Sequence, residues 1–377
     1  MVVRVAKPAF NLRDKLSELD KPVGIKGSEL MRSDTVQDAR DLVSAGRKNL
    51  IINGGFDIWQ RATDSGSNTD DGYLSADRWK HASSGATKQV TRQTFDLGQT
   101  DVPGNPRYYL RYAVTTSNNN VAIRQCIEDV TRTAGRELTL SFWVKGTNCG
   151  GGEFDLQFRQ DFGTGGSPSS VVDTNHFSYS VNDQWTRKTF TFTPPSTALK
   201  TVGTNVRSSF YKIELFRQPN GDNSTGAFTL DFANVQLEYG SHATEFEQRS
   251  FGEELALCQR YYIQYGGPGG GISRFPMMGE CTSTGVAQYP LQFPVAMRGG
   301  GNVSLTTNGS STDYQIYSAN QSKPASSITL ADTFEYGHGD VWGCRVNFNR
   351  DSTDLTAGRA AQGYGASTSI LGFSREM

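Results

Sequence analysis

The fold class is decided by one stretch, Glu137-Leu138-Thr139-Leu140-Ser141-Phe142-Trp143-Val144-Lys145-Gly146. Its apolar side chains recur at every second position from Leu138 to Val144, and polar residues and Trp143 occupy the positions between them. Side chains of a β-strand point alternately to the two faces of a sheet. The pattern therefore predicts a half-buried strand with Trp143 on the face away from the core.

The same alternation continues on both sides of this stretch. Lys188-Thr189-Phe190-Thr191-Phe192-Thr193 repeats it and stops at two prolines, which cannot donate hydrogen bonds to a β-ladder. Phe228, Leu230 and Phe232 alternate in the same way, and turn residues such as those at 163–166 separate the runs. Residues 49–250 are therefore predicted to form a two-sheet β-sandwich.

Composition supports an all-β body and excludes some partners. The 377 residues include 41 glycines, and only 20% are charged, which favours short strands joined by tight turns. The formal net charge of -1 provides no general attraction for nucleic acid or an anionic membrane. No apolar run approaches the roughly 18 residues of a membrane-spanning helix, and the first residues do not resemble a signal peptide. We expect no nucleic-acid partner, no membrane insertion and synthesis in a cytosol.

Residues 1–48 differ from the rest of the chain because they are rich in charge and poor in aromatic residues. Leu12, Leu16 and Leu19 lie on one face of a predicted short helix, and residues 33–43 predict a second helix. Helices this short need a partner surface for stability. We therefore interpret 1–48 as a docking or oligomerisation arm, with an untethered tail as the alternative.

Residues 251–377 are predicted to form a smaller C-terminal β-domain. A short helical or bridging segment at 253–262 leads into a glycine-rich loop at 266–271, and strand-like runs follow at 303–306 and 341–348. The length and glycine content leave little room for a large independent core, so burial between subunits is an open alternative.

Metal binding and catalysis find little support in the sequence. The five cysteines are far apart and predict buried free thiols, and the four histidines show no metal-ligand spacing. Asp64, Asp70, Asp71 and Asp77 lie in a turn-rich loop, where turn chemistry explains them better than a glycosidase carboxylate pair. We expect a protein that is not an enzyme and has no catalytic cofactor.

Aromatic residues give the candidate binding site. Trp59 and Trp79 are predicted to be core residues, whereas Trp143 lies opposite the apolar face of its strand. Tyr108 and Tyr109 follow a proline at a predicted junction of loop and strand. Flat rings of this kind can stack on sugar rings. Tyr108, Tyr109 and Trp143 are therefore the predicted carbohydrate contacts, with a packing role as the alternative for each.

Several motifs carry a resemblance to a known family. These are Asn49-Leu50-Ile51-Ile52-Asn53-Gly54-Gly55-Phe56-Asp57-Ile58-Trp59-Gln60-Arg61, Tyr73-Leu74-Ser75-Ala76-Asp77-Arg78-Trp79, Asp231-Phe232-Ala233-Asn234-Val235-Gln236-Leu237-Glu238-Tyr239-Gly240 and Leu257-Cys258-Gln259-Arg260-Tyr261-Tyr262. Together they resemble phage tail-fibre and related virion proteins of marine-phage type, whose body is a jelly roll like that of carbohydrate-binding modules. The resemblance covers residues 49–262 well and 263–377 loosely.

The resemblance implies a virion protein, commonly a homotrimer, that attaches to host-surface polysaccharide. It implies that residues 1–48 dock on other virion proteins, and that a structural calcium ion could take a ligand from Asp231. A capsid decoration, head fibre or tail connector without glycan binding is the alternative within the virion. The binding module of a glycan-degrading enzyme is the alternative from another class.

Overall fold

The computed structural model describes residues 48–377 except 117–120, 150–152, 206, 218–225, 268–272, 300–301, 309, 337–339 and 366–368. The helices predicted in the N-terminal arm lie outside the described residues. Residues 49–377 form one compact unit, and its secondary structure is almost entirely antiparallel β, which confirms the all-β fold class. In the part of the chain that the structure describes, no helix has the length and hydropathy needed to cross a membrane.

The elements have the following bounds: β1 (Lys80–Ser83), β2 (Thr87–Thr94), β3 (Tyr108–Thr116), β4 (Val121–Glu128), the 3-10 helix η1 (Val130–Arg132), β5 (Leu138–Thr147), β6 (Glu153–Asp161), β7 (Val172–Ser180), β8 (Thr186–Phe192), β9 (Phe210–Arg217), β10 (Phe228–Tyr239), α1 (Phe251–Gln259), β11 (Tyr262–Gly266), β12 (Ser273–Cys281), β13 (Val286–Met297), β14 (Ser304–Thr307), the 3-10 helix η2 (Ser311–Asp313), β15 (Tyr314–Ser318), β16 (Gln321–Pro324), β17 (Ser327–Tyr336), β18 (Asp340–Asn349), β19 (Ala360–Gly365) and β20 (Ile370–Ser374).

The first ten strands form a sandwich of two five-stranded sheets. Sheet I has the order β2-β3-β10-β5-β8, and sheet II has the order β1-β4-β9-β6-β7. Within them, β3-β10-β5-β8 faces β4-β9-β6-β7, which is the strand order of an eight-stranded jelly roll. The consecutive strands β1 and β2 lie in different sheets, where β1 pairs with β4 at the edge of sheet II and β2 pairs with β3 at the edge of sheet I.

Large side chains from both sheets fill the space between them. Phe142 of sheet I contacts Tyr179 of sheet II at a ring separation of 5.5 Å, and Tyr112 contacts Phe216 at 4.9 Å. The alternating apolar residues of β5 are fully buried, as their pattern predicts. Trp59, Trp79 and the five cysteines are also buried, which confirms those predictions.

The segment at residues 49–54 closes the sandwich by lying between β10 and α1. The Leu50 amide donates to the Leu237 carbonyl at 2.8 Å, and the Asn53 amide donates to the Glu254 carboxylate at 2.5 Å. A Cβ atom on Gly54 would lie 2.1 Å from the Val235 carbonyl oxygen. Only glycine therefore fits at this close approach of two backbones.

The C-terminal strands form two further sheets with a core of their own. Sheet III has the order β11-β20-β14, and sheet IV has the order β16-β15-β19-β12-β13-β18-β17. Buried residues such as Tyr289, Phe348 and Phe373 pack in one cluster. This core is larger than the length and glycine content led us to expect.

A buried ion-pair cluster, which we name the junction, joins the sandwich to the C-terminal sheets. It consists of Arg61, Arg78, Tyr261, Tyr262 and Glu376. The fully buried Arg78 guanidinium binds the Glu376 carboxylate and lies 3.4 Å from the centroid of the Tyr261 ring. Arg61 contacts Glu376 at 3.2 Å and lies 3.6 Å from the centroid of the Tyr262 ring.

Candidate functional site

A groove of about 650 Å³ runs along the outer face of sheet I. We name it the Trp143 groove; its lining includes Asn105, Trp143, Arg187, Asn234, Phe246 and Gln248. A smaller space of about 180 Å³ shares Asn105, Asn234, Phe246 and Gln248 with it and is therefore its continuation. The larger volume lies in the range of small-molecule sites, about 300–1,000 Å³.

The strand pattern of β5 places Trp143 in this groove. Because Phe142 and Val144 on either side of it are fully buried, the Trp143 ring lies on the outer face. The neighbouring strand β10 has one extra residue between Ala233 and Gln236, and Asn234 in this bulge has a φ of 50°. Such bulges redirect side chains, and this one brings Asn234 into the groove lining.

The segment at residues 244–248 also lines the groove, through Glu245, Phe246 and Gln248. The Glu238 carboxylate accepts hydrogen bonds from the Thr244 amide at 2.7 Å and from its hydroxyl at 2.6 Å. The Gln236 side-chain oxygen accepts from the Glu247 amide at 2.8 Å. These anchors hold Phe246 in the wall of the groove. The face of β5 is consequently less open than the sequence predicts, and Trp143 is half-buried.

Two charged side chains in the continuation have unused hydrogen-bonding capacity. Among the described residues, no hydrogen bond or ion pair reaches the Asp57 carboxylate or the Arg107 guanidinium, although Arg107 lies over the Tyr108 ring. Burial raises the pKa of Asp57, and the nearby Glu254 carboxylate raises it further. A carboxylate and a guanidinium that face the same space can together bind hydroxyl groups.

Arg187 adds hydrogen-bond donors to the larger space. One terminal nitrogen of its guanidinium donates to the Ser141 hydroxyl at 3.2 Å and also to the Thr244 carbonyl. Its other N–H groups have no acceptor among the described residues. The groove therefore combines two aromatic rings, Trp143 and Phe246, with amide, carboxylate and guanidinium groups, which is the chemistry that binds a polyhydroxylated ring.

The structure does not bring the three predicted carbohydrate contacts together. Trp143 lines the groove, but Tyr108 lies beneath the guanidinium groups of Arg92 and Arg107, at 4.5 and 5.0 Å from its centroid. Tyr109 packs against Phe95 at 4.7 Å and Trp185 at 5.4 Å on the outer face of sheet I. These contacts occupy both tyrosine rings, so neither lines the groove.

Asp231, the predicted calcium ligand, is held by a basic side chain. The Arg111 guanidinium donates to both Asp231 carboxylate oxygens at 2.8 Å, and the Lys145 ammonium lies 4.0 Å away. No group of three or more His, Cys, Asp or Glu side chains suited to a metal occurs among the residues that the structure describes. The calcium site stays a prediction without a matching ligand cluster.

Sequence reasoning missed most of the groove. Asp57 lies inside the motif at residues 49–61, but its neighbour Arg107 is 50 positions later in the chain and no local pattern connects them. Phe246 follows the last strand of the sandwich in a segment that has no periodicity. The one usable signal was the position of Trp143 between core residues.

No family model matches this chain, and no curated protein matches it. Among solved structures it is similar to the enzymatically active domain of tailspike protein 4 of bacteriophage CBA120, with 16% identity and a TM-score of 0.31 over 51% of this chain and 21% of that one. It is also similar to a family 11 carbohydrate-binding module of a Clostridium thermocellum cellulase, with 16% identity and a TM-score of 0.27 over 48% of this chain and 98% of that one. It is similar as well to a CBM22 xylan-binding domain from Paenibacillus barcinonensis, with 14% identity and a TM-score of 0.28 over 53% of this chain and 100% of that one. The chain thus spans about a fifth of the tailspike domain, and at such low TM-scores these likenesses carry no argument about what it does.

Proposed function

We propose that this protein binds glycans in the Trp143 groove and does not hydrolyse them. The observation that carries the proposal is that the half-buried Trp143 and Phe246 line one groove, whose continuation holds Asp57 and Arg107, two charged side chains with no hydrogen bond among the described residues. The apolar face of a sugar ring stacks on an aromatic ring, while its hydroxyl groups bind the charged and amide side chains at the edge. We expect weak affinity for each site, near millimolar, with avidity from several copies.

The biological role that we propose is host attachment by a phage virion. The motifs at residues 49–61 and 231–240, which resemble those of tail-fibre and related virion proteins, support this role. In this proposal residues 1–48 attach the protein to other virion proteins, and the Trp143 groove contacts polysaccharide on the host surface.

The groove is tested by replacing its tryptophan. Trp143→Ala should lower the apparent affinity for polysaccharide from the host surface by at least about tenfold, because the stacking platform is lost. Surface plasmon resonance on immobilised polysaccharide measures the affinity, and thermal unfolding shows whether the variant is folded.

Trp185→Ala is the matched control, because Trp185 is also half-buried on the outer face of sheet I but lies outside the groove lining. Trp185→Ala should lower the free energy of unfolding about as much as Trp143→Ala does and leave the affinity for the polysaccharide unchanged. Equal binding by the wild type and both variants would show that the groove is not the glycan site.

We also propose that the full-length chain is a homotrimer, because short amphipathic helices such as those predicted in the arm need partner surfaces. Light scattering coupled to size-exclusion chromatography should give about three times the 41.3 kDa mass of one chain. A monodisperse monomer at micromolar concentration would contradict this prediction.

A further inference from the structure

The C-terminal sheet IV contains a tryptophan that a β-bulge turns out of the core. Alternation along β18 buries Cys344, Val346 and Phe348, and continuing it backwards would bury residue 342 as well. Instead Val341 is fully buried and the Trp342 side chain is 41% exposed. Exposing a tryptophan at this position forgoes the stabilisation that its burial would provide.

The pairing of the strands shows how the reversal arises. On β17, Phe334 pairs with Gly343 and the next residue, Glu335, pairs with Val341, so Trp342 is an extra residue in β18. The pairing with β13 also shifts between Gly343 and Val341. Bulges of this kind redirect a side chain and occur often beside functional sites.

Trp342 and Phe334 together form an aromatic platform. Their ring centroids lie 5.1 Å apart with an interplanar angle of 38°. A Cβ atom on Gly343 would lie 2.9 Å from a carbon of the Phe334 ring and 2.5 Å from the Leu291 carbonyl oxygen. Residue 343 must therefore be glycine for the Phe334 ring to lie against the sheet.

Polar groups flank the platform on the same face. The Arg345 guanidinium lies 5.9 Å from the centroid of the Phe334 ring and is held by the Asp332 carboxylate, with one hydrogen bond of 2.8 Å. Gln292 pairs with Gly343 on the other side, and its exposed side-chain amide has no hydrogen bond among the described residues. Donors and acceptors are thus available at both edges of the rings.

We propose that the Trp342–Phe334 platform is a second glycan-binding site, which takes one pyranose ring. The apolar face of the sugar stacks on Trp342, and its hydroxyl groups bind Gln292 and the Arg345–Asp332 pair. The proposal rests on the proposed function in taking a glycan as the ligand, but it uses a separate site on a separate sheet. Two sites on one chain raise the avidity of the assembled protein.

A second copy of the chain is the other occupant that an exposed aromatic pair could have. The centres of subunit interfaces are depleted in charged residues. Here an ion pair whose side chains are 44% and 39% exposed, Arg345 and Asp332, lies directly beside the rings. The charge therefore favours a small polar ligand over a subunit contact.

The test uses the full-length protein and an immobilised panel of neutral oligosaccharides and bacterial surface polysaccharides. Binding is compared for the wild type, Trp342→Ala, Trp143→Ala and the double variant, with light scattering on each. Met278→Ala is the matched control, because Met278 is 69% exposed on sheet IV but lies outside the platform.

We expect Trp342→Ala to lower the binding signal by at least about tenfold, to abolish the signal that remains in Trp143→Ala, and to leave the oligomeric mass unchanged. Met278→Ala should bind as the wild type does. If Trp342→Ala bound fully and Trp143→Ala lost binding, the second site would be excluded and the proposed function would stand. If Trp143→Ala bound fully and Trp342→Ala lost binding, the Trp143 groove would be excluded as a glycan site and the platform would stand. A changed oligomeric mass with unchanged binding would identify the platform as a subunit contact, and a wild-type protein that binds nothing on the panel would contradict both proposals.

Discussion

Replacing Glu376 with glutamine is expected to lower the free energy of unfolding by about 3–5 kcal/mol, because it leaves the buried Arg78 guanidinium without its carboxylate partner. Glu376 contacts both Arg61 and Arg78 at the junction, and the Arg78 side chain is only 1% exposed. Glutamine keeps the shape of the side chain and removes its charge. Denaturant unfolding followed by fluorescence measures the change.

Asp173→Asn is the matched control for this prediction. Asp173 pairs with Arg159 at 2.7 Å, but the two side chains are 49% and 33% exposed, so the substitution should cost less than about 1 kcal/mol. If the free energy of unfolding fell by the same small amount in both variants, the junction would contribute no more to stability than a surface ion pair does.

Asp77→Asn is expected to make stability rise with pH between about pH 4.5 and 6.5, by up to about 1.4 kcal/mol per pH unit, whereas the wild type should change much less. The reason is that two buried groups, Asp77 and His81, make the stability depend on pH in opposite directions. Burial raises the pKa of Asp77 from its ordinary 3.8 to about 7, although Arg61 and Gln60 act to lower it. Burial lowers the pKa of His81 from 6.5 to about 3.

The contributions of Asp77 and His81 to the free energy of unfolding change with pH in opposite directions. Between about pH 4 and 7 the folded protein holds the Asp77 proton more tightly than the unfolded chain, so its contribution is present at low pH and is lost as the pH rises through 7. The folded protein keeps His81 neutral, so that contribution is present above about pH 6.5 and is lost as the pH falls towards 3. Removing Asp77 leaves the histidine effect alone.

His81→Gln should give the mirror image, with stability that falls as the pH rises over the same interval. The free energy of unfolding of both variants, measured at several pH values in this interval, tests the pair. Parallel pH profiles for the wild type and both variants would contradict the assignment of these two groups.

The strands that the sequence predicts best are those in which apolar and polar residues alternate. In β5, β8 and β10 the apolar residues face the core and polar residues or Trp143 occupy the positions between them, although several polar positions of β5 and β10 are buried as well. By contrast, β7 has few fully buried residues and shows no comparable pattern. Strand order is also hidden, since β3 pairs with β10, whose residues lie more than 100 positions away.

The binding site was less predictable because it depends on irregular structure. Asn234 enters the groove through a bulge, and Trp342 is turned outward by another, so both break the alternation from which faces are predicted. Tyr108 and Tyr109 are residue types that often contact sugars, but Arg92 and Trp185, which pack on them, come from other parts of the chain. Trp143 was predictable because its strand is regular.

The contacts of residues 49–54 affect how the chain folds while it is being synthesised. Asn53 is bound by Glu254, which lies 201 positions later in the sequence. At translation rates of about 5–20 residues per second, this partner leaves the ribosome roughly 10–40 s after the segment that it holds. During that interval the segment cannot make its native contacts, and the strand edges and apolar faces of the incomplete sandwich remain exposed to solvent and to neighbouring nascent chains. The early part of this protein therefore stays incompletely folded until the last strand of the sandwich and the helix after it have been made.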